Sequence, residues 1–495
     1  MTTPIMLLAD FYKLSHREQY PVNTEIVYST LTPRVKKWDL HNDEVVFFGL
    51  QYFIKHYLIE KFEKDFFARP KEEVITEYTR VVKNALNVED VYTKHLEDLH
   101  DLGYLPIRIK ALKEGTLVPV RVPCMTIENT DSRFFWLTNF IETILLTTLW
   151  LPSTSATTAY SYRKILTKYA EETVGADDFV DFQAHDFSMR GMSSEQSSTI
   201  SAAAHLLSFK GSDTVPAGLF LEEFYNADIE KEFIFSSIPA TEHSVMSAYG
   251  EENEFELYKR LLTDIYPKGP ISIVSDTWDF WKVITDYLPK LKDIIISREG
   301  KLIIRPDSGD PIDILCGTVK KFGKGTTPEE KGLIECLWEI FGGVINEKGY
   351  RCLDSHIGVI YGDSITMARC ETIMRLLKEK GFASSNVVLG IGSYAYQFTS
   401  RDAFGWAMKA TYAVIDGKEK LLFKDPKTDD GTKKSQRGLI IVHRNDKGSL
   451  ELVDGLCKKD YEALSDIDQL HTVFKNGQLL YEDSFAEICK RVGYR

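Results

Sequence analysis

From about residue 178 one arrangement recurs along the chain, and it limits the fold more than any other feature. A strand-like apolar run ends in charged residues and glycine, and usually leads into a helical pattern. Phe179–Phe187 is followed by Met189-Arg190-Gly191 and a helical Ser194–Ser208. Ile271–Val274 is followed by Ser275-Asp276 and a helix through Trp281. Leu302–Ile304 runs into Arg305-Pro306-Asp307-Ser308-Gly309, and Ile357–Ile360 into Gly362-Asp363. Val387–Leu389 runs into Gly390-Ile391-Gly392-Ser393. Strands alternating with helices call for a parallel sheet. Barrels and open α/β sheets both place their chemistry at the C-terminal strand ends. The pattern predicts a barrel-like parallel α/β core over residues 151–400.

The flanks read differently. Residues 1–150 mix strands (Glu25–Tyr28, Val45–Phe48, Ile107–Ala111) with helices (Tyr52–Phe67, Lys71–Leu86). After about residue 402, Ala410–Ile415 and Leu421–Phe423 flank Asp416-Gly417, a hairpin signal. Residues 401–495 return to the style of the N-terminal region. The two are expected to pack as one smaller, discontinuous α+β domain. A chain of 495 residues, 43% hydrophobic and 27% charged, has ample means to build both.

A net charge of −13 makes the chain a poor binder of nucleic acid or of anionic membrane, so neither is an expected partner. The seven cysteines are widely spaced without C-x-x-C, which argues against a disulfide framework and a zinc site. The apolar run Ile5–Ala9 is closed by Asp10 and is too short for a signal peptide. Phe140–Leu151 carries Glu142 and ends at Pro152, so it reads as a buried helix. A soluble cytoplasmic protein is expected.

The strand ends hold the candidate residues. Arg305 offers a planar fork to a phosphate or amide, and Asp307 suits ribose hydroxyls or a metal. A surface ion pair at a turn explains the same two residues equally well. Asp276 and Asp363 end two further strands. Three carboxylates on one rim repel unless a cation such as Mg²⁺ sits among them, although each alone fits a helix N-cap. Gly392 and Ser393 allow backbone N–H groups to approach a phosphate, where a plain turn is the simpler account. No Walker loop or complete G-x-G-x-x-G accompanies them, which argues against a P-loop enzyme and a simple dehydrogenase. Pro239 with Ser237 reads as a helix start. It puts His243 in or just after the first turn, where neutral imidazole is favoured. A packed or capping histidine is the plainer account. His185-Asp186 is either an acid–base pair or a buried structural pair. Arg401, Lys409, Lys424, Lys433, Lys434 and Arg437 form a late cationic cluster, a phosphate-attracting patch or a solvated loop.

Together these segments resemble the nicotinamide phosphoribosyltransferase family over nearly the whole chain. The resemblance starts with Asp10-Phe11-Tyr12-Lys13 and Gln19-Tyr20-Pro21, and continues through Asn129-Thr130-Asp131 and Trp136–Thr143. Its most specific pieces are His185-Asp186-Phe187 with Arg190-Gly191, Phe209–Thr214, Glu242-His243-Ser244, Val274-Ser275-Asp276, Ile303–Gly309 and Gly362-Asp363. His471–Gly477 closes it. The order and spacing of the pieces carry it.

The resemblance implies an α/β fold of the type II phosphoribosyltransferase kind. It implies transfer of phosphoribosyl from phosphoribosyl pyrophosphate to nicotinamide, giving nicotinamide mononucleotide and pyrophosphate in NAD salvage. It implies a homodimer with shared sites, Mg²⁺ as cofactor, and ATP as co-substrate. Phe187 and Tyr12 of the partner subunit are expected to sandwich the pyridine ring, and Asp213 to accept from the carboxamide. Arg305 is expected beside the ring, with Asp307, Gly362 and Asp363 on the ribose. Asp276 and Asp307 are the implied route to Mg²⁺. Gly392, Ser393 and Arg190, with Arg401 and Lys409 of the partner subunit, match the phosphate contacts. Arg34, Lys424 and Lys433 match further pyrophosphate or nucleotide contacts. His243 matches the histidine that ATP phosphorylates.

Two positions depart from the vertebrate type of the family. Ser393-Tyr394 follow Gly392 where that type has a run of glycines. Leu439 stands where it has an arginine, with Arg437 two residues earlier. The competing expectations are a nicotinate phosphoribosyltransferase and a non-catalytic nucleotide-binding regulator. Asp213 argues against the first, because it would repel nicotinate's carboxylate. His243, Asp307 and Arg305 argue against the second.

Overall fold

The run Ile271–Val274 is buried at every residue, as a parallel strand covered on both faces requires. It is one of six short parallel strands. In chain order they are β1 (Ala184–Asp186), β2 (Gly211–Ser212), β3 (Ile271–Val274), β4 (Leu302–Arg305), β5 (Ile357–Tyr361) and β6 (Val388–Ile391). Their order in the sheet is β2-β1-β6-β5-β4-β3, and every pairing is parallel. The structure is a computed structural model that describes residues 3–35, 43–362, 364–428 and 434–494.

Between β2 and β3 the ring is carried by Ser236–Ala240. Ser236 bridges Gly211 and Ala240 bridges Ser272, both in parallel sense. The Ser236 N–H donates to the Lys210 carbonyl (2.7 Å) and the Ser272 N–H to the Pro239 carbonyl (2.9 Å). Pro239 is therefore part of the barrel wall, and the helix foreseen to start there begins four residues later at His243. Proline fits because its carbonyl, its remaining polar backbone group, is the one used. The strands now follow one another around the ring in chain order.

The main helices are α1 (Glu195–His205), α2 (His243–Tyr249), α3 (Leu288–Ser297), α4 (Met367–Glu379) and α5 (Ser393–Gln397). α1 opens with a capping box between Ser194 and Ser197, which satisfies two orphan N–H groups. The long run Phe179–Phe187 is strand only at its end. Asp178–Phe182 forms a 3₁₀ turn instead, and Arg163 and Lys210 hold its Asp181.

The ring belongs to one of two compact units, comprising Thr158–Leu219 and Asp228–Phe398. The other comprises Met1–Thr157, Phe220–Ala227 and Thr399–Arg495. Its seven-stranded antiparallel sheet runs Lys418–Leu421, Ala407–Ile415, Thr24–Thr32, Met125–Asn129, Ile107–Ala111, His471–Lys475, Gln478–Leu479. Asp416 and Gly417 both have positive φ, as the tight hairpin turn demands.

A buried polar cluster ties this unit's early and late segments. Glu114 accepts from the N–H groups of Gly49 (2.8 Å) and Gln51 (2.5 Å) and from the Tyr225 hydroxyl (3.1 Å). Arg491 donates to the Glu114 carbonyl and to Asp483. Gln51 exchanges hydrogen bonds with the Asp483 backbone.

The helix Glu142–Thr173 continues through Pro152 rather than stopping there. Proline removes one ladder bond, but buried Leu145, Leu149, Ala156 and Ala159 on either side hold the helix together. Among the described residues no single helix is long and apolar enough to cross a membrane. All seven cysteines are free thiols.

Candidate active site

A cleft of about 1040 Å³ opens where the C-terminal ends of the parallel strands meet. Phe187 follows β1, and its N–H donates to the Ile391 carbonyl at 2.9 Å. The ring lies against Gly390. A Cβ there would stand 2.7 Å from the ring's Cδ2 and 2.9 Å from the Tyr361 carbonyl oxygen, so only glycine leaves room. One aromatic face is thus fixed at the cleft wall by backbone on β1 and β6.

His185 and Asp186 do not form the pair that their adjacency suggested. Successive strand residues point to opposite sides. Asp186 is buried and accepts from the Ser212 and Thr214 hydroxyls (2.8 Å each) and the Ser188 N–H (3.0 Å). It braces β1 to β2. His185 places Nε2 2.8 Å from Asp213 Oδ1 instead. The Ser237 hydroxyl donates to the same oxygen. Burial pushes the Asp213 carboxyl up, but these two bonds and the charges of His185 and Arg305 outweigh it. The group is held below the usual carboxylate range.

Across the ring, Asp276 and Asp307 come together. Asp276 Oδ2 accepts from the Asp307 N–H (2.9 Å) and the Ser308 hydroxyl (2.5 Å). Asp276 Oδ1 is buried and accepts no hydrogen bond. His243, the first residue of α2, stands with Nε2 3.9 Å from Asp276 Oδ1 and 3.9 Å from Asp307 Oδ2. Its Nδ1 lies 3.1 Å from the Thr277 hydroxyl. Arg305 donates to the Thr241 carbonyl at 2.7 Å, which holds it along the cleft wall. Gly362 makes space for Asp307, since a Cβ would stand 2.3 Å from Asp307 Oδ1.

Gly392 is the N-cap of α5 and Ser393 its first residue, both lining the cleft, with open space where a Gly392 Cβ would be. Arg190 lines the cleft from the turn Met189–Gly191. Tyr394, the second residue of α5, and Phe398, its C-cap, are exposed and stacked with centroids 4.8 Å apart.

The structure therefore brings together Phe187, Arg190, Asp213, His243, Asp276, Arg305, Asp307, Gly362, Gly392 and Ser393. Asp363 and Lys433 lie outside the described residues. Tyr12, Arg34, Arg401, Lys409 and Lys424 belong to the other unit. Tyr12 is exposed on the turn Phe11–Ser15. Arg34 donates to the Gly405 carbonyl (3.0 Å), and Lys409 lies 3.9 Å from Glu142. Arg401 contacts Asp402, while the Lys424 N–H donates to the Ser435 hydroxyl. Ser237, read only as part of a helix start, and Thr241 and Thr277 were not foreseen at the site. They act through hydroxyls or a carbonyl on loops, and no spacing announces that.

Residues 182–478 match the profile of the nicotinate phosphoribosyltransferase (NAPRTase) family, and residues 4–109 that of the nicotinamide phosphoribosyltransferase N-terminal domain. The nicotinamide phosphoribosyltransferase of Acinetobacter baylyi is 47% identical over 493 residues, 98% of this chain and 96% of that one. The protein of the same name from Mycoplasma pneumoniae is 37% identical over 423 residues, 82% of this chain and 88% of that one. Among solved structures, a nicotinate-nucleotide pyrophosphorylase from Pyrococcus furiosus matches with TM-score 0.59 at 15% identity, covering 99% and 96% of the two chains. Human nicotinic acid phosphoribosyltransferase matches with TM-score 0.55 at 15% identity, covering 98% and 93%. At that identity these two structures speak to the fold alone.

Proposed function

The chain belongs to the nicotinamide phosphoribosyltransferase family, and we infer from that premise how its own residues serve the transfer of phosphoribosyl from phosphoribosyl pyrophosphate to nicotinamide. The products are nicotinamide mononucleotide and pyrophosphate, a step of NAD salvage. The observation that carries the reading is the convergence of an aromatic face, an amide acceptor, Asp307 backed by buried Asp276, and a backbone phosphate cradle at one cleft.

Phe187 stacks on the pyridine ring, worth about 0.5–1.5 kcal/mol beyond area burial. Asp213 accepts from the carboxamide NH₂, and Arg305 lies beside the ring. Asp307, with Gly362 and Asp363, holds the ribose. Gly392, Ser393 and Arg190 take the phosphate. The ring nitrogen then attacks C1 as the bond from C1 to pyrophosphate breaks, through an oxocarbenium-like state. The leaving group is already ionised, so no strong acid or base is required. Positioning and charge complementarity supply most of the acceleration.

Among the described residues no three His, Cys, Asp or Glu side chains are placed to hold a metal alone. The buried Oδ1 of Asp276, which accepts no hydrogen bond, beside Asp307 does fit Mg²⁺, which takes one or two carboxylates and completes its shell with water and phosphate. When bound there, the ion would neutralise charge on the pyrophosphate.

His243 is the phosphoryl acceptor in coupling to ATP. With its proton on Nδ1 toward Thr277, Nε2 keeps its lone pair. It attacks the γ-phosphorus; the N–P bond forms, the bond to the bridging oxygen breaks, and ADP leaves with that electron pair. A homodimer brings Tyr12 of the partner subunit to the second face of the ring. Arg401 of the partner subunit and Lys409 of the partner subunit come to the phosphate, and Arg34, Lys424 and Lys433 serve pyrophosphate or nucleotide. Free thiols throughout accord with a cytoplasmic location.

Purified protein incubated with phosphoribosyl pyrophosphate, Mg²⁺ and nicotinamide or nicotinate tests the reading, with mononucleotide detected by mass. Product from nicotinamide is expected; product mainly from nicotinate overturns the substrate. His243→Ala should abolish ATP stimulation and retain slow synthesis. Full stimulation in that variant removes His243 from the phosphoryl step.

A further inference from the structure

Asp213 is held in an unusual way for a half-exposed carboxylate. Three consecutive parts of the ring converge on it: His185 from β1, the loop after β2 that bears Asp213 itself, and Ser237 from the closing segment. The imidazole is almost wholly covered, with only 12% of its side chain exposed. β2 makes room for it with Gly211, where a Cβ would stand 2.6 Å from His185 Nδ1. An ionised carboxylate only accepts, so His185 Nε2 and Ser237 Oγ are both donors. Both bonds end on Oδ1, and neither engages Oδ2, while the residue lines the cleft that Phe187 also lines.

We propose that His185 and Ser237 are positioning residues that set amide-over-acid selectivity by holding the Asp213 carboxylate one-sided, with Oδ2 alone turned to the ring substituent. Held this way, Asp213 accepts from a carboxamide NH₂ and has no proton to offer a ring carboxylate. Without the two donors the carboxylate is free to turn, and the fixed Oδ2 that fits a carboxamide NH₂ and opposes a ring carboxylate with like charge is lost. Selectivity then belongs to the three residues together, where Asp213 alone sufficed in the sequence reading. Arg305, the other charged group acting on Asp213, is common to both states.

This inference rests on the proposed nicotinamide site, and the test separates the two. Initial rates are measured with nicotinamide and with nicotinate for the wild type, His185→Phe, Ser237→Ala, the double variant and His185→Gln. The two donor-removing single variants should each raise the nicotinamide KM about 5–10-fold with kcat changed less than twofold. In the double variant the nicotinate-to-nicotinamide ratio of kcat/KM should rise at least tenfold. His185→Gln retains an N–H donor and should recover part of the selectivity. A role in packing alone would lower both substrates equally. An unchanged ratio in the double variant overturns this inference and leaves the proposed function standing. A wild type that uses neither substrate, or prefers nicotinate, overturns both. Ser237→Ala removes only an exposed hydroxyl, so if His185→Phe fails to fold, the ratio in Ser237→Ala decides the matter.

Discussion

Two polar clusters in this molecule look alike on paper and differ in completeness. Around Glu114 both carboxylate oxygens, the Gln51 amide, Asp483 and Arg491 all have partners, and the cluster closes on itself. At the strand ends Asp276 keeps a buried oxygen without a hydrogen bond, and Asp213 leaves one of its two oxygens unengaged. A satisfied buried network rigidifies a fold; an unsatisfied one stores affinity for something absent. For these two clusters the difference tells the scaffold from the site.

The largest effect that should sharpen this contrast is on rate. Asp276→Asn retains an oxygen for the Asp307 N–H and the Ser308 hydroxyl but loses the charge. Steady-state assays should show kcat down about 10²–10³-fold, on the order of 3–4 kcal/mol. The melting temperature should move by no more than about 2 °C. A large fall in melting temperature with unchanged kcat would reclassify Asp276 as scaffold.

The next effect is on stability, in the closed cluster. Burial pushes the Glu114 carboxyl up to about 7, despite the N–H bonds from Gly49 and Gln51. The folded state therefore holds a proton that the unfolded chain releases near pH 4.5. This contribution is full below that pH and is lost as pH rises toward 7. Buried His95 and His205, lowered to about 3 and about 4, act with the opposite slope below pH 6.5. The difference between wild type and Glu114→Gln isolates the carboxyl. In urea unfolding the substitution should cost more at pH 5 than at pH 8, by up to about 3 kcal/mol. A pH-independent difference would break the reading of this cluster.

The smallest effect is steric. Gly362→Ala puts a methyl group against Asp307 Oδ1. It should lower kcat/KM about tenfold, equivalent to about 1.4 kcal/mol, with little change in melting temperature. Unchanged kinetics would mean that Asp307 has room to move aside.

The strands most readable from sequence were β3, β4, β5 and β6. Each is a run of aliphatic residues cut off by Asp, Gly or Pro, and their ends furnish most of the cleft. β2 has two residues and Ser236–Ala240 bridges only at its ends, so neither offers a period to detect. His185-Asp186 illustrates the other limit. Adjacency in sequence suggested a pair, but the pleat sends the two side chains apart, and the true partner of His185 lies 28 residues on. Pro152 misled by local rule, because tertiary burial overrode its cost. Tyr12 and Arg34 came from the family resemblance and the late cations from their clustering in an acidic chain, neither from geometry within one unit.

The antiparallel sheet also bears on how the chain is made. Thr24–Thr32 finds one neighbour in Met125–Asn129 but the other in Ala407–Ile415. One edge of an early, largely buried strand therefore leaves the ribosome long before its mate. At usual elongation speeds the wait is on the order of 20–80 s. During that time the parallel ring, all of whose strands precede residue 392, has its full sequence to fold from. A nascent chain with an open strand edge is a template for wrong pairings. Yield in a heterologous host should therefore depend on synthesis rate and on chaperones that cover that edge, more than on the stability of the finished molecule.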